Sequence, residues 1–294
     1  MTPARIAILV SAVCLTFATP TYAQNSGQDG VKVGEMSIFR KLGGGLESKA
    51  AMQYSQTMQQ AQQQNALAPD SNPQLIRLRA IAKALIPFAL RWNERAPQWK
   101  WEVNLIGSKQ INAYCMPGGK IAFYTGILDT LKLTDDEVAI VMGHEIAHAL
   151  REHGAERAGK AAAANFGIKL AEIVAGAKGY DPNVAGSVAG GLANVGMLKF
   201  SRDDETEADV VGLDIAARVG YDPRAGIALW KKMAMVNKGA PPQWLSTHPA
   251  GQNRIAEIQR HLPEVLPLFA KKQGILLANL PPYRTNIKTI PAIN

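Results

Sequence analysis

The sequence predicts an α+β fold that is mostly helical, with one small sheet set between two helical regions. Three observations carry that prediction. Apolar and polar residues alternate in short runs between Trp99 and Thr125, as strands require. Before that stretch, Leu75, Leu78, Ala82, Leu85, Ile86 and Ala89 recur at helical spacing. After Asp135 the chain reads as helix almost throughout.

The chain of 294 residues is long enough for one sizeable core, and 47% hydrophobic with 19% charged residues is ordinary for a globular domain. Residues 1–23 read as an export signal: Arg5 gives a positive start, Ile6 to Ala18 an apolar run, and Thr21-Tyr22-Ala23 a small residue at the cleavage point. A mature chain then begins near Gln24, in the periplasm or outside the cell. The apolar run is shorter than the roughly 20 residues that span a bilayer, and no other run of that length lacks charge or proline, so no transmembrane segment is expected in the mature chain. Cys14 offers a lipid attachment point, but Ser11 and Val13 do not suit lipoprotein processing. Once the signal is removed, Cys115 is the one cysteine left and no intramolecular disulfide forms. The net charge of +8 invites a nucleic-acid partner; the 32 basic residues are scattered without aromatic interleaving, which excludes that class.

Residues 24–69 form a leader, with Gly43-Gly44-Gly45 as a flexible joint and a Gln-rich helix from Gln53 to Gln64 whose inner face carries Tyr54, Met58, Ala61 and Asn65. The domain proper spans 70–262. Asn72-Pro73 starts its first helix, which runs to about Glu94 before Ala96-Pro97. Strands are expected over Trp99–Ile106, Ile111–Met116 and Lys120–Thr125, the last two joined by Pro117-Gly118-Gly119. Helices follow at about 135–152, 156–178, 184–200, 203–219, 223–237 and 249–261. The Ala- and Gly-rich stretch from Ala161 to Gly196 reads as a tight helical hairpin, since Lys169, Glu172, Lys178 and Asp181 interrupt any membrane span. Pro263, Pro267 and Pro281-Pro282 predict an extended tail over 263–294.

The chemistry is concentrated in His144-Glu145-Ile146-Ala147-His148. Thr134 caps this helix, and Asp135, Asp136 and Glu137 suit its positive end. Residues four apart lie about 40° past one turn, so His144 and His148 share a face and reach one ion, expected to be a single zinc per chain. Glu145 falls about 100° around, placed to take a proton from a metal-activated water as general base in amide hydrolysis. A third ligand must come from elsewhere, and Asp203, Asp204, Glu205 and Glu207 are the acids on offer downstream.

HExxH followed by Glu205-Thr206-Glu207-Ala208-Asp209 resembles the gluzincin metallopeptidases that include the CAAX prenyl proteases, HtpX and the periplasmic BepA and LoiP proteases. The resemblance implies a zincin-like domain with a small edge sheet beside the active-site helix. It makes Glu205 the third ligand and gives Asp209 a proton-donor or orienting role. Both share a helix face, whereas Glu207 sits about 200° from Glu205 and is expected to face away as a surface or structural carboxylate. Asn112, Ala113 and Tyr114, with Gly118 and Gly119, resemble the family's edge strand that pairs with an extended substrate. Ser246-Thr247-His248-Pro249, with Arg254-Ile255, resembles its closing segment, whose histidine approaches the metal; His248 would then be a regulatory fourth ligand that keeps the enzyme latent. His153 is expected to act at the helix end, Cys115 as a buried thiol, and either Tyr114 or Tyr124 as an oxyanion stabiliser. The resemblance covers about residues 70–262 and implies cleavage of unfolded or misassembled proteins in envelope quality control. A chaperone-like binding protein that keeps the zinc site and cleaves little is the alternative, and a peptidoglycan amidase a third.

Overall fold

The structure is a computed structural model that describes residues 30–36, 38, 45–161, 200–236, 242–248 and 253–294. Helix α1 (Leu46–Gln63) is polar outside and buries Ala50, Tyr54, Met58 and Ala61, about one residue per turn. Helix α2 (Pro73–Ala89) begins as predicted, with the Asn72 side chain accepting from the amides of Gln74 and Leu75. It ends earlier than expected, in a 3-10 turn over Leu90–Trp92.

The three strands β1 (Glu102–Ile106), β2 (Ala113–Met116) and β3 (Lys120–Tyr124) form one sheet in the order β1-β3-β2. β3 runs parallel to β1 and antiparallel to β2. Both Gly118 and Gly119 in the β2–β3 turn have φ near +80°, a region open to glycine at little cost. β1 starts later than the alternation suggested because Ala96–Gln98 winds into a 3-10 turn. One face of the sheet, with Leu105, Ala113, Ile121 and Phe123, joins the main core. The other, with Ile106, Ala122, Tyr114 and Tyr124, packs on Tyr54 and Met58 of α1. Among the described residues, β2 is an outer strand, paired with β3 alone.

A short helix that the alternation did not signal, α3 (Thr125–Leu131), follows β3 directly. Helix α4 (Asp135–Leu150) opens with a reciprocal Thr134/Glu137 capping box. Every residue from Glu137 to Leu150 is buried, so this helix is enclosed on all sides and forms the centre of the molecule. Against it lies α5 (Arg202–Val219), opened by a second box between Ser201 and Asp204. The two helices meet where Gly143 faces Gly212. A Cβ on Gly212 would lie 2.8 Å from the His144 nitrogen, and one on Gly143 would lie 2.9 Å from the Gly212 oxygen. Only two glycines permit so close an approach, and it brings the first turns of α5 onto the second half of α4.

Helices α6 (Ala225–Val236), α7 (Gln243–Thr247) and α8 (Arg254–Gln273) follow. The last of these corrects the expected tail, because α8 continues through Pro263 and Pro267 for three further turns beyond residue 261. Both prolines sit on the exposed side, where water can satisfy the carbonyls they leave free, while Ile258, Leu262, Val265 and Phe269 hold the inner face. Beyond Gly274 the chain is extended apart from the 3-10 turn at Leu277–Asn279 and a turn closed by the Ile290 amide on the Ile287 carbonyl, and Tyr283 and Ile293 exchange backbone hydrogen bonds of 2.8 and 2.9 Å. The export signal, Gly43-Gly44 and most of the expected hairpin, residues 162–199, lie outside the described residues. Among the described residues, no helix is long and apolar enough to cross a membrane.

Candidate metal centre

The glycine crossing of α4 and α5 sets Glu205 and Asp209 opposite His144 and His148. One donor atom each from His144, His148, Glu205 and His248 lies within 4.8 Å of the others, and all four residues are buried. The His144 and His148 Nε2 atoms are 3.0 Å apart. Glu205 approaches them at 3.7 and 3.4 Å, and His248 Nδ1 stands 3.3 Å from His144 Nε2 and 3.0 Å from Glu205 Oε1.

The surrounding hydrogen bonds decide which imidazole nitrogens carry protons. Asp209 Oδ1 lies 3.0 Å from His144 Nδ1; the carboxylate accepts that N–H and leaves Nε2 with its lone pair. Asp209 is ionised, since Arg254 and His144 outweigh the burial that would otherwise raise its pKa. His153 Nε2 is 2.8 Å from Glu207 Oε2, so its Nδ1 is left to accept from His148 Nδ1 at 2.9 Å, and His148 Nε2 is bare as well. Burial pushes the His148 pKa well below the ordinary histidine value, which keeps the ring neutral. Two lone pairs thus face each other at 3.0 Å beside the Glu205 carboxylate, which is ion-paired with Arg254. That arrangement is repulsive without a cation between the donors, and two imidazoles with one carboxylate are a donor set suited to zinc.

Glu145 is turned toward the same point without joining the donor cluster. The indole Nε1 of Trp244 donates to its Oε1 at 2.6 Å, and His248 Nε2 is 3.6 Å away. Trp244 also stacks on His248, with 5.1 Å between ring centroids, and Phe200 stacks on His148 at 4.0 Å. For His248, burial lowers the pKa but the carboxylates of Glu145 and Glu205 outweigh it, and the net shift is upward. A cavity of about 270 Å³ opens beside Glu145 and His148, walled by Asn112, Ala113 and Cys115 of the β2 side and by Ala149 and Phe200. Cys115, expected to be buried, is half-buried in the cavity wall, and desolvation together with the nearby Glu145 raises its pKa well above the ordinary thiol value.

Sequence reasoning gave no role in the site to Arg254, Trp244 or Phe200, and it misplaced His153. Arg254 pairs with both Glu205 and Asp209 and lies 4.4 Å over the Trp230 ring. Trp244 and Phe200 carried no chemical signal of their own, although Trp244 is four residues from His248. His153 is fully buried against His148 instead of acting at an open helix end, because Glu152 takes a left-handed φ of +57° and turns the chain back. Glu207 does face away from the cluster, as a structural carboxylate on Arg151 and His153. Tyr114 and Tyr124 are not brought to the donors; their rings pack together, Tyr114 also edge-on to Tyr54, on the α1 side of the sheet.

Comparison with known proteins agrees with this geometry. The sequence profile of Peptidase family M48 matches residues 76–262, well over half of the chain. The chain belongs to that family. It is 36% identical over 168 residues to the mitochondrial metalloendopeptidase OMA1 of Schizosaccharomyces pombe, covering 56% of this chain and 48% of the relative. The OMA1 of Saccharomyces cerevisiae is 29% identical over 230 residues, 74% of this chain and 64% of that protein. The β-barrel assembly-enhancing protease of Escherichia coli is 28% identical over 176 residues, 57% of this chain and 35% of that protein. In each case this chain spans less than two thirds of the relative's length. What is common to them is a metallopeptidase domain of the M48 type, and the buried zinc-suited cluster lies inside the matched residues.

Proposed function

We propose that this M48 chain is a zinc-dependent endopeptidase that hydrolyses extended polypeptides, with His144, His148 and Glu205 as metal ligands and Glu145 as general base. The observation that carries this reading is the pair of buried imidazole Nε2 atoms 3.0 Å apart facing Glu205, with Glu145 beside them in the wall of a cavity. Zinc, when bound, supplies a Lewis acid that polarises the scissile carbonyl and brings the ionisation of water into the neutral range. The Glu145 carboxylate accepts the proton of the attacking water and returns it to the departing amine as the amide C–N bond breaks. Trp244 holds that carboxylate in place by its indole N–H. Asp209, pinned between His144 and Arg254, fits the orienting role better than that of a proton donor.

The outer edge of β2, from Ala113 to Met116, lines the cavity with Asn112 and, with the Gly118-Gly119 turn that follows, is the part of the chain that pairs with a substrate strand in this reading. Such pairing reads backbone more than side chains, which suits unfolded or misassembled proteins as substrates. The apolar N-terminal run and the likeness to a β-barrel assembly-enhancing protease support work on exported proteins in the cell envelope. As a fourth ligand His248 would hold the site latent until α7 moves, a reading supported by its place in the donor cluster.

The deciding experiment is degradation of unfolded casein by protein beginning at Gln24, with Glu145→Gln and a chelator as controls, and zinc content measured on each sample. Cleavage that both controls abolish, while Glu145→Gln still holds one zinc, supports the peptidase. Zinc bound without cleavage by the wild type or by a His248→Ala variant would favour a chaperone-like binding protein. Release of fragments from cell-wall material without casein cleavage would favour an amidase.

A further inference from the structure

The N-terminal residues before α1 were expected to be a mere leader, yet residues 31–34 are built into the domain. Val31 is buried in the main core, and its amide donates to Asp214 Oδ2 at 3.2 Å. Three residues on, the Gly34 carbonyl accepts from Arg151 Nη2. Arg151 is itself 2% exposed, and its Nε donates to Glu207 Oε1 at 2.6 Å. The other oxygen of Glu207 accepts from His153 Nε2 at 2.8 Å, and His153 Nδ1 meets His148 Nδ1 at 2.9 Å. The guanidinium is the hub: its planar fork holds a backbone carbonyl and a carboxylate at once, which a lysine could not do in the same geometry.

We propose that Arg151, Glu207 and His153 are positioning residues for the ligand His148, and that docking of residues 31–34 closes this relay and thereby raises zinc affinity. The inference rests on the assignment of His148 as a ligand. Each link has one consequence for the next. The Gly34 carbonyl and Arg151 fix the Glu207 carboxylate; Glu207 takes the Nε2 proton of His153; His153 is left with a bare Nδ1; and that nitrogen forces the proton of His148 onto Nδ1, leaving Nε2 free for the metal. Loss of a hydrogen-bond partner to a metal-bound histidine weakens binding by about 10- to 100-fold. Binding couplings are reciprocal, so zinc must in turn tighten the docking of residues 31–34.

The test uses the full chain and reads metal and exchange, not turnover. Zinc affinity is measured by competition with a chromophoric chelator for wild type, His148→Ala, His153→Phe and Glu207→Gln, with the visible spectrum of the cobalt-substituted form recorded for each. Amide hydrogen exchange over residues 31–36 is followed with and without zinc. The expected result is one zinc in wild type, its loss in His148→Ala, weakening of about 10- to 100-fold with an altered cobalt spectrum in His153→Phe, and a smaller shift in Glu207→Gln. Zinc should slow exchange at 31–36 in wild type and lose that effect in His153→Phe at saturating zinc. Should His153→Phe fail to fold, Glu207→Gln decides by the same two readouts. A wild type that holds no zinc, or a His148→Ala that keeps it, would overturn the ligand assignment. Normal zinc binding in wild type with unchanged affinity and spectrum in the relay variants would overturn the relay alone, and exchange indifferent to zinc would overturn the role of the N-terminal segment.

Discussion

At the scale of single residues, the metal centre is crowded on the side where chemistry needs room. His248 places one nitrogen among the donors and the other 3.6 Å from the Glu145 carboxylate, and the buried Trp244 stacks on its ring. If that histidine leaves the open state only about a tenth populated, His248→Ala should raise kcat/KM on unfolded casein about tenfold while one zinc per chain is retained. Equal or lower activity at full zinc occupancy would count against latency. Arg254 has a different task. It is the buried cation that balances Glu205 and Asp209, its own pKa raised because those carboxylates outweigh the cost of burial. Replacing it with methionine leaves two acids beside each other without a cation, a change that typically costs about 3–5 kcal/mol, so Arg254→Met should lower the melting temperature of the metal-free protein strongly. Added zinc should recover part of the loss, because the metal supplies positive charge to the same carboxylates. A metal-free Arg254→Met protein as stable as wild type would show that the ion pairs contribute little.

Between elements, the separation of α4 and α5 is the critical dimension. A methyl group on Gly212 would meet the His144 nitrogen at 2.8 Å, and backbone has no flexible end that can swing aside. Gly212→Ala should therefore push the helices apart, destabilise the fold by about 1–3 kcal/mol in urea unfolding, and weaken zinc binding by moving Glu205 away from His144 and His148. An unchanged zinc affinity would mean that the crossing does not set the site. Some of this design was legible in the sequence and some was not. The capping box at Thr134, the i, i+4 histidines and the Asn72-Pro73 start are local, fixed by residues within one turn, and periodicity finds them. Glu205 needed the family resemblance, because five acids lie between Asp203 and Asp209 and the helix face toward α4 is set by Gly143 meeting Gly212, a contact 69 positions apart that no local pattern records. His153 was misread because its place depends on one left-handed residue, Glu152. The prolines of α8 were misread for a related reason: whether Pro ends a helix depends on which side faces water, and that is a property of the packed molecule.

Across the whole molecule, both ends of the described chain converge on the helix that carries the site. The N-terminal segment reaches its C-terminal end through Arg151, and the C-terminal tail reaches its start. There Tyr283 meets the Thr134 hydroxyl at 3.1 Å, and Thr285 donates to Glu137 Oε1 at 2.6 Å. The other oxygen of Glu137 is 2.6 Å from Lys232 Nζ, which also donates to Asn286 Oδ1 at 2.7 Å and to the Lys132 carbonyl at 2.9 Å. Glu137 is the reciprocal member of the capping box, so one fully buried carboxylate ties together the start of α4, helix α6 and the tail. Because the ammonium of Lys232 has three donors and all three are used, no neutral residue of similar volume can replace it. Lys232→Met leaves the Glu137 charge buried without its cation, and the expected loss is about 3–5 kcal/mol by chemical denaturation. The double variant Lys232→Met with Glu137→Gln removes the stranded charge and should be clearly more stable than Lys232→Met alone. The same clamp predicts how the loss is felt at the metal: residues Tyr283 to Asn286 should gain exposure to a protease before the histidines release zinc, since the tail holds the far end of α4 and the donors lie nearer its close. If instead zinc is lost first, with the tail still protected, the clamp and the metal centre are separate cooperative units and α4 is held from its metal end.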